Sequence, residues 1–161
     1  MAKKKETKTN AMRLLEQHNA KYEMVSYMDS DAVSGVHVAA ELGEDPEDVF
    51  KTLVTVGKTR ENYVFVIPVA EELDLKKAAK SVGEKKIEMI KSKELLPLTG
   101  YIHGGCSPIG MKKQFQTVID QSAINREKIF VSGGKIGLQV HLTLNELKKI
   151  VEIQVADLIK K

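Results

Sequence analysis

Between Thr99 and Gly110 the chain reads Thr99-Gly100-Tyr101-Ile102-His103-Gly104-Gly105-Cys106-Ser107-Pro108-Ile109-Gly110, four glycines and a proline in a dozen residues with no acid among them. Glycine lets the backbone take φ > 0 and approach a ligand closely, so the N–H groups of such a loop can converge on an anion or on the oxyanion that develops in acyl transfer. Pro108 fixes its own φ and pushes Ser107 toward an extended conformation, which leaves the segment from Gly104 to Pro108 partly preorganised. On spacing alone the plainer reading is a turn between two strands, because glycine clusters punctuate loops of every kind.

Three side chains could add chemistry to such a loop. Cys106 follows two glycines, where convergent amides would lower a thiol pKa and favour a nucleophile. No His–Asp pair stands at a motif spacing, however, and a lone thiol serves more simply as a small hydrophobe. His103 and Cys106 form a His-x-x-Cys pair, but two ligands make no zinc site without two more, and His18, His37 and His141 show no ligand spacing, so no metal and no cofactor is expected. Lys51 opens an apolar strand on the face shared with Leu53 and Thr55, while Phe50, Thr52, Val54 and Val56 take the other face. Taken alone it is an ordinary solvated lysine at a strand edge.

The elements that must hold these residues follow from periodicity and punctuation. Thr9 and Asn10 precede a helical face made by Ala11, Met12, Leu14 and Leu15, and Lys21 to Tyr27 alternates as a strand. Ser34 can cap a helix from Val36 to Leu42, and Pro46 in Asp45-Pro46-Glu47-Asp48 starts a second, short one. Lys51–Val56 and Tyr63–Ile67 read as a hairpin. Asp74 caps a helix from Leu75 to Val82 that Gly83 ends, Ile87–Ile90 is a strand, and Ser92–Leu96 is a short helix stopped by Pro97. Past the glycine loop, strands are expected at Gln116–Ile119, Lys128–Ser132 and Ile136–Leu142, the last two joined through Gly133-Gly134-Lys135. Thr143-Leu144-Asn145-Glu146 is a capping box, and a short strand closes the chain. Strands outnumber helices and hairpins outnumber crossovers, which makes the fold class α+β with a mixed, largely antiparallel sheet.

Length and composition narrow the field. With 161 residues, 42% hydrophobic and 29% charged, the chain fits one domain. The single cysteine precludes an internal disulfide and Cys-rich metal motifs, and the basic start Met1-Ala2-Lys3-Lys4-Lys5 leads into no apolar segment, so a cytoplasmic protein without a signal peptide or membrane span is expected, with residues 1–8 as a flexible basic tail. Seven lysines between residues 76 and 93 face only Glu84 and Glu88, and no acid occurs from Leu95 to Ile119, where Lys112 and Lys113 add charge. Lys76, Lys77, Lys80, Lys112 and Lys113 are therefore candidates for contact with RNA phosphates, although a solvated lysine face would look the same. Only three of the 25 basic residues are arginines, which argues against extensive base reading.

Four separate segments carry a resemblance that spans about residues 11 to 159: Phe50-Lys51-Thr52-Leu53; Leu73 to Lys80; Gly100-Tyr101 with Gly105 to Lys113; and Val131 to Lys135 with Gly137-Leu138. In order and spacing the chain resembles the YbaK/EbsC family of free-standing Cys-tRNA(Pro) and Cys-tRNA(Cys) deacylases, relatives of the editing domain of bacterial prolyl-tRNA synthetases. The resemblance implies an editing-type domain over residues 9–161, with a curved, barrel-like sheet and flanking helices. It implies that Lys51 is the essential side chain and that the amides around Gly105 stabilise the oxyanion. Gly104, Ser107 and Pro108 would shape the substrate loop, and Tyr27, Thr52, Ser132 and Gly133 would line the aminoacyl pocket. The CCA end of an aminoacyl-tRNA is then the substrate, and prolyl-tRNA synthetase a partner. No protein nucleophile is needed, because the thiol of the tRNA-borne cysteine can attack its own ester. The chain departs from the pattern in a shorter loop after Tyr27 and in Gln139, where an acid is often found. Clearance of another amino acid, as in Ala-tRNA(Pro), or a non-catalytic tRNA- or synthetase-binding module, are the alternatives.

Overall fold

In the computed structural model, residues 9–26 and 44–161 are described. The expected tail at 1–8, the helix at 36–42 and Tyr27 lie outside them. Among the described residues, eight strands and four helices follow one another as α1 (Asn10–Gln17), β1 (Glu23–Ser26), β2 (Phe50–Gly57), β3 (Asn62–Pro68), α2 (Leu75–Val82), β4 (Ile87–Met89), α3 (Ser92–Thr99), β5 (Gln116–Asp120), β6 (Ile129–Ser132), β7 (Leu138–Leu142), α4 (Leu144–Lys148) and β8 (Ile153–Ala156).

The apolar alternation of β2 and β3 builds the hairpin at the centre of the larger sheet, with Lys51 opposite Ile67 and Thr52 opposite Val66. β3 is buried on both faces, which is why it reads as an unbroken apolar run. Val64 and Val66 join Phe50, Val54, Leu15, Ile109 and Val140 in one core. Tyr63, Phe65 and Ile67 join Ala78 and Ala79 of α2, Val118 and Leu158 in a second core behind the sheet. The order is β4-β2-β3-β5-β8, and β1-β7-β6 forms a smaller sheet.

The α+β class with mixed sheets stands. The smaller sheet and the β4-β2-β3 half of the larger one are antiparallel, whereas β5 joins β3 and β8 joins β5 in parallel. Parallel entry follows from the long returns between these strands, since a parallel neighbour needs a crossover. The barrel-like expectation is not met among the described residues: one bridge, Val49 to Phe130, joins the two sheets, and β4 and β8 remain as edges of the larger one.

Local signals explain most boundaries. Thr9 Oγ1 accepts from Met12 N and donates to Gly133 O at 2.6 Å, so the cap of α1 also clamps the β6–β7 turn. Asp74 caps α2, and Gly83 ends it at φ +74°. Pro46 opens a single 3-10 turn, Pro46–Asp48, the short element expected there. Pro97 does not stop α3, which runs to Thr99 before Gly100. Only the bond that a residue 97 N–H would make to the carbonyl of exposed Lys93 is forfeited. β7 begins at Leu138 rather than Ile136, because Gly134 (φ +101°) and Gly137 (φ +92°) extend the turn. Thr143 caps α4 through Glu146 N, while the Glu146 carboxylate accepts from Lys21 N at 2.8 Å instead of completing the box.

Candidate active site

A cavity of about 360 Å³ opens where β2, the β4–α3 junction, the glycine loop and the β6–β7 hairpin meet. Lys51, Thr52, Gly104 and Ser132, predicted apart along the sequence, all lie on its wall, together with His103, Cys106 and Gln139. Ser132 and Gln139 are cross-strand partners, and the Ser132 hydroxyl accepts from Gly134 N at 3.2 Å.

The glycine loop takes its shape from buried contacts. Tyr101 donates its hydroxyl to Ile109 O at 2.6 Å, Thr99 Oγ1 accepts from Tyr101 N at 3.0 Å, and Ser107 Oγ accepts from Ile109 N at 3.1 Å. Gly105 is packed so closely against the β6–β7 turn that a Cβ there would sit 2.8 Å from Lys135 Cα and 2.9 Å from Ile136 N. Its N–H is committed to Ile102 O at 2.9 Å. Among the described residues nothing accepts from the N–H groups of Gly104 or Cys106, so these flanking amides are the ones left to meet a ligand. Ser107 and Pro108 are buried behind the loop, and Gly133, whose N–H binds Leu138 O and whose carbonyl receives Thr9, holds the hairpin turn. These residues support the wall and do not line it.

Two orphaned polar atoms aim the cavity's chemistry. Among the described residues Thr52 Oγ1 and Gln139 Oε1 are buried with no hydrogen-bond partner, although a buried polar atom is costly to leave unpaired. Both belong to cavity-lining residues. Gln139 was not among the predicted site residues. Its signal in the sequence was only that an amide stands where an acid is often found.

Lys51 is half-buried, and among the described residues it makes no ion pair. Burial pushes its pKa down, while the carboxylates of Glu72 and Glu71 partly restore it. A charged ammonium held away from full solvation is a strong partner for developing negative charge. Cys106 is the reverse case: burial pushes its thiol up to about 12, against a weaker opposing bond from Thr99, so it is a neutral thiol near pH 7. No group of three or more His, Cys, Asp or Glu side chains among the described residues could hold a metal ion, and none of their helices is long and apolar enough to cross a membrane.

The predicted RNA-facing lysines do not form one patch. Lys76, Lys77 and Lys80 ride on α2, which packs against the second core, whereas Lys112 and Lys113 follow the glycine loop on the first-core side. Lys77 is also committed to Asp157 at 3.0 Å and Ile159 O at 2.8 Å, and Lys113 Nζ sits 5.9 Å from the centre of the Phe115 ring.

The sequence profile of the aminoacyl-tRNA editing domain matches residues 29–150. The chain belongs to that family. It is 48% identical, over 100% of its own length and 99% of the relative, to an Enterococcus faecalis protein carrying the provisional name Cys-tRNA(Pro)/Cys-tRNA(Cys) deacylase EbsC. A solved structure provisionally described as a trans-editing enzyme for prolyl tRNA synthetase superposes with a TM-score of 0.81 at 25% identity, covering 97% of this chain and 100% of that one. Another, of a hypothetical protein, shares the fold with a TM-score of 0.86 at 22% identity, covering 94% of this chain and 100% of its own.

Proposed function

We propose that this editing domain is a free-standing, cytosolic aminoacyl-tRNA deacylase that removes cysteine from mischarged Cys-tRNA(Pro), working in trans beside prolyl-tRNA synthetase. The observation that supports the reading is one cavity lined by Lys51, Thr52, Gly104, Cys106, Ser132 and Gln139. The names of its relatives support the substrate class.

The terminal ribose ester enters with its aminoacyl group in the cavity. Gln139 Oε1 accepts from the α-ammonium, and Thr52 Oγ1 bonds the ester or the adjacent ribose hydroxyl. The substrate thiol, losing its proton, attacks the ester carbonyl. A carbon–sulfur bond forms, and the carbonyl oxygen takes up negative charge that Lys51 and the loop amides stabilise. Collapse breaks the carbon–oxygen bond to the ribose, whose oxygen takes up a proton. The products are free tRNA and a cyclic thioester, which water then opens to cysteine. Cys106, held neutral by burial, has no part in bond making. Exposed Lys76, Lys80, Lys112 and Lys113 add long-range attraction for the polyanion.

The test is a substrate panel. Purified protein should deacylate Cys-tRNA(Pro), and Cys-tRNA(Cys) with it, far faster than Ala-tRNA(Pro). Faster release of alanine would move the reading to a water-dependent deacylase, and release of neither would leave a binding module.

A further inference from the structure

At the opposite end of β2 from Lys51, a second hollow of about 640 Å³ is lined by Lys58, Arg60, Lys85 and Lys86 together with Glu88. The β2–β3 turn and the α2–β4 connection build it together: Lys58 N donates to Lys86 O at 3.0 Å, and Gly57 pairs with Ile87. Beneath it Glu84 is buried, its carboxylate receiving the Thr59 and Tyr63 hydroxyls, and it packs directly under Gly57. That carboxylate is thus engaged inside the fold, whereas Glu88 lines the hollow itself and Glu61 is exposed beside Arg60. Lys86 is 2.7 Å from Glu88, but among the described residues no acid is within ion-pair distance of Lys58, Arg60 or Lys85.

Arg60 adds an independent observation. Its φ is +77°, in the closing position of a turn fixed by Arg60 N to Gly57 O and Gly57 N to Glu61 O. The turn itself calls for a left-handed residue there, and glycine or asparagine would take that backbone with less steric penalty than arginine does. A strained residue that places a long cation at the lip of a basic hollow points to a ligand rather than to folding.

We propose that Lys58, Arg60, Lys85 and Lys86 form a phosphate-binding site that grips the acceptor-strand backbone of the tRNA whose 3′ end occupies the cavity. This rests on the aminoacyl-tRNA reading above. Adjacent residues of β4 line the two hollows, Met89 the cavity and Glu88 the basic one. From Lys51 to Gly57 the strand spans about 20 Å at ~3.3 Å per residue, or about six stacked nucleotides at ~3.4 Å each. That reach carries the contact from the reacting ester past a short single-stranded end to the first paired phosphates. Cations without aromatic neighbours in the hollow match a backbone contact, indifferent to base identity.

The test uses the full chain and three probes: uncharged tRNA for binding, Cys-tRNA(Pro) for turnover, and a cysteinyl ester of the trinucleotide CCA, too short to reach the hollow. Arg60→Gly and Lys85→Ala together should lower the log–log salt slope of tRNA binding by about two units and raise KM for Cys-tRNA(Pro), with kcat and the rate on the trinucleotide ester unchanged. Arg60→Gly alone should not lower Tm, because the left-handed backbone suits glycine. Unaltered tRNA affinity and salt slope in the double variant would overturn the proposal, as would equal losses on tRNA and trinucleotide. Should the wild type deacylate none of the charged substrates, the uncharged-tRNA arm still decides the phosphate site by itself.

Discussion

Gly105→Ala tests how the cavity wall is assembled. The backbone at Gly105 does not lie in the left-handed region, so alanine meets no conformational penalty there. The obstacle is contact: the new methyl would lie 2.8 Å from Lys135 Cα and 2.9 Å from both Ile136 N and the Lys135 carbonyl carbon. All three atoms are backbone, belonging to a turn pinned by Thr9 on Gly133 O and by Gly133 N on Leu138 O, so no side chain can swing aside. Relieving such overlap costs about 1–3 kcal/mol, which for a chain of this size lowers Tm by about 2–12 °C. The loop and the turn must separate by several tenths of an ångström, and the amides of Gly104 and Cys106 move with the loop. Loss of one aligned oxyanion donor is worth about 10²–10³ in rate. Scanning calorimetry and single-turnover deacylation should therefore both register the change. Wild-type Tm and rate in Gly105→Ala would refute the claim that close packing on the hairpin turn sets the loop's geometry.

Further outcomes follow from the same geometry. Lys51→Met should lower deacylation by at least about a hundredfold. It should not lower Tm at pH 7: burial holds the Lys51 pKa below 10.5 in the folded state, so the ionised side chain costs stability at neutral pH, and that cost fades as pH rises toward 10.5. Cys106→Ala should keep most activity, and because burial pushes its thiol up to about 12, Cys106 in the folded protein should alkylate with iodoacetamide at pH 8 far more slowly than a free thiol. Thr52→Val and Gln139→Leu should leave Tm unchanged or higher, because each removes an orphaned buried atom, while KM for Cys-tRNA(Pro) rises; a lower Tm would mean that these atoms are paired within the fold.

Residues whose meaning is local were legible in the sequence. Thr9, Asp74 and Thr143 cap where their side-chain chemistry places them, and the alternation of Lys51–Val56 and Tyr63–Ile67 specifies the central hairpin. What depends on distant partners was not. β5 and β8 enter in parallel because of returns dozens of residues long, and no local pattern encodes which strand each one joins. Pro97 signals a stop, yet one lost bond at an exposed carbonyl is too little to end α3 before Gly100. At the candidate site, the motif residues Lys51, Thr52, Gly104 and Ser132 reach the same cavity, but the orphaned state of Gln139 exists only once β7 is laid beside β6. The lysine-rich middle of the chain is legible as charge but not as position. Charge density along the sequence does not say which side of a sheet each cation takes, and α2 and the segment at Lys112 lie against opposite cores.

The central claim is that the substrate's own thiol breaks the ester while Lys51 and the loop stabilise the charge. Single-turnover rates of the purified protein on Cys-tRNA(Pro) and Ser-tRNA(Pro) test it most directly, since the two aminoacyl groups differ only in sulfur against oxygen, and a hydroxyl is a far weaker nucleophile near neutral pH. The account predicts rapid cleavage of the cysteinyl ester, a crippled chemical step with similar binding for the seryl ester, and the same contrast in Cys106→Ala. Equal rates on the two substrates, or a trapped acyl group on Cys106, would contradict it.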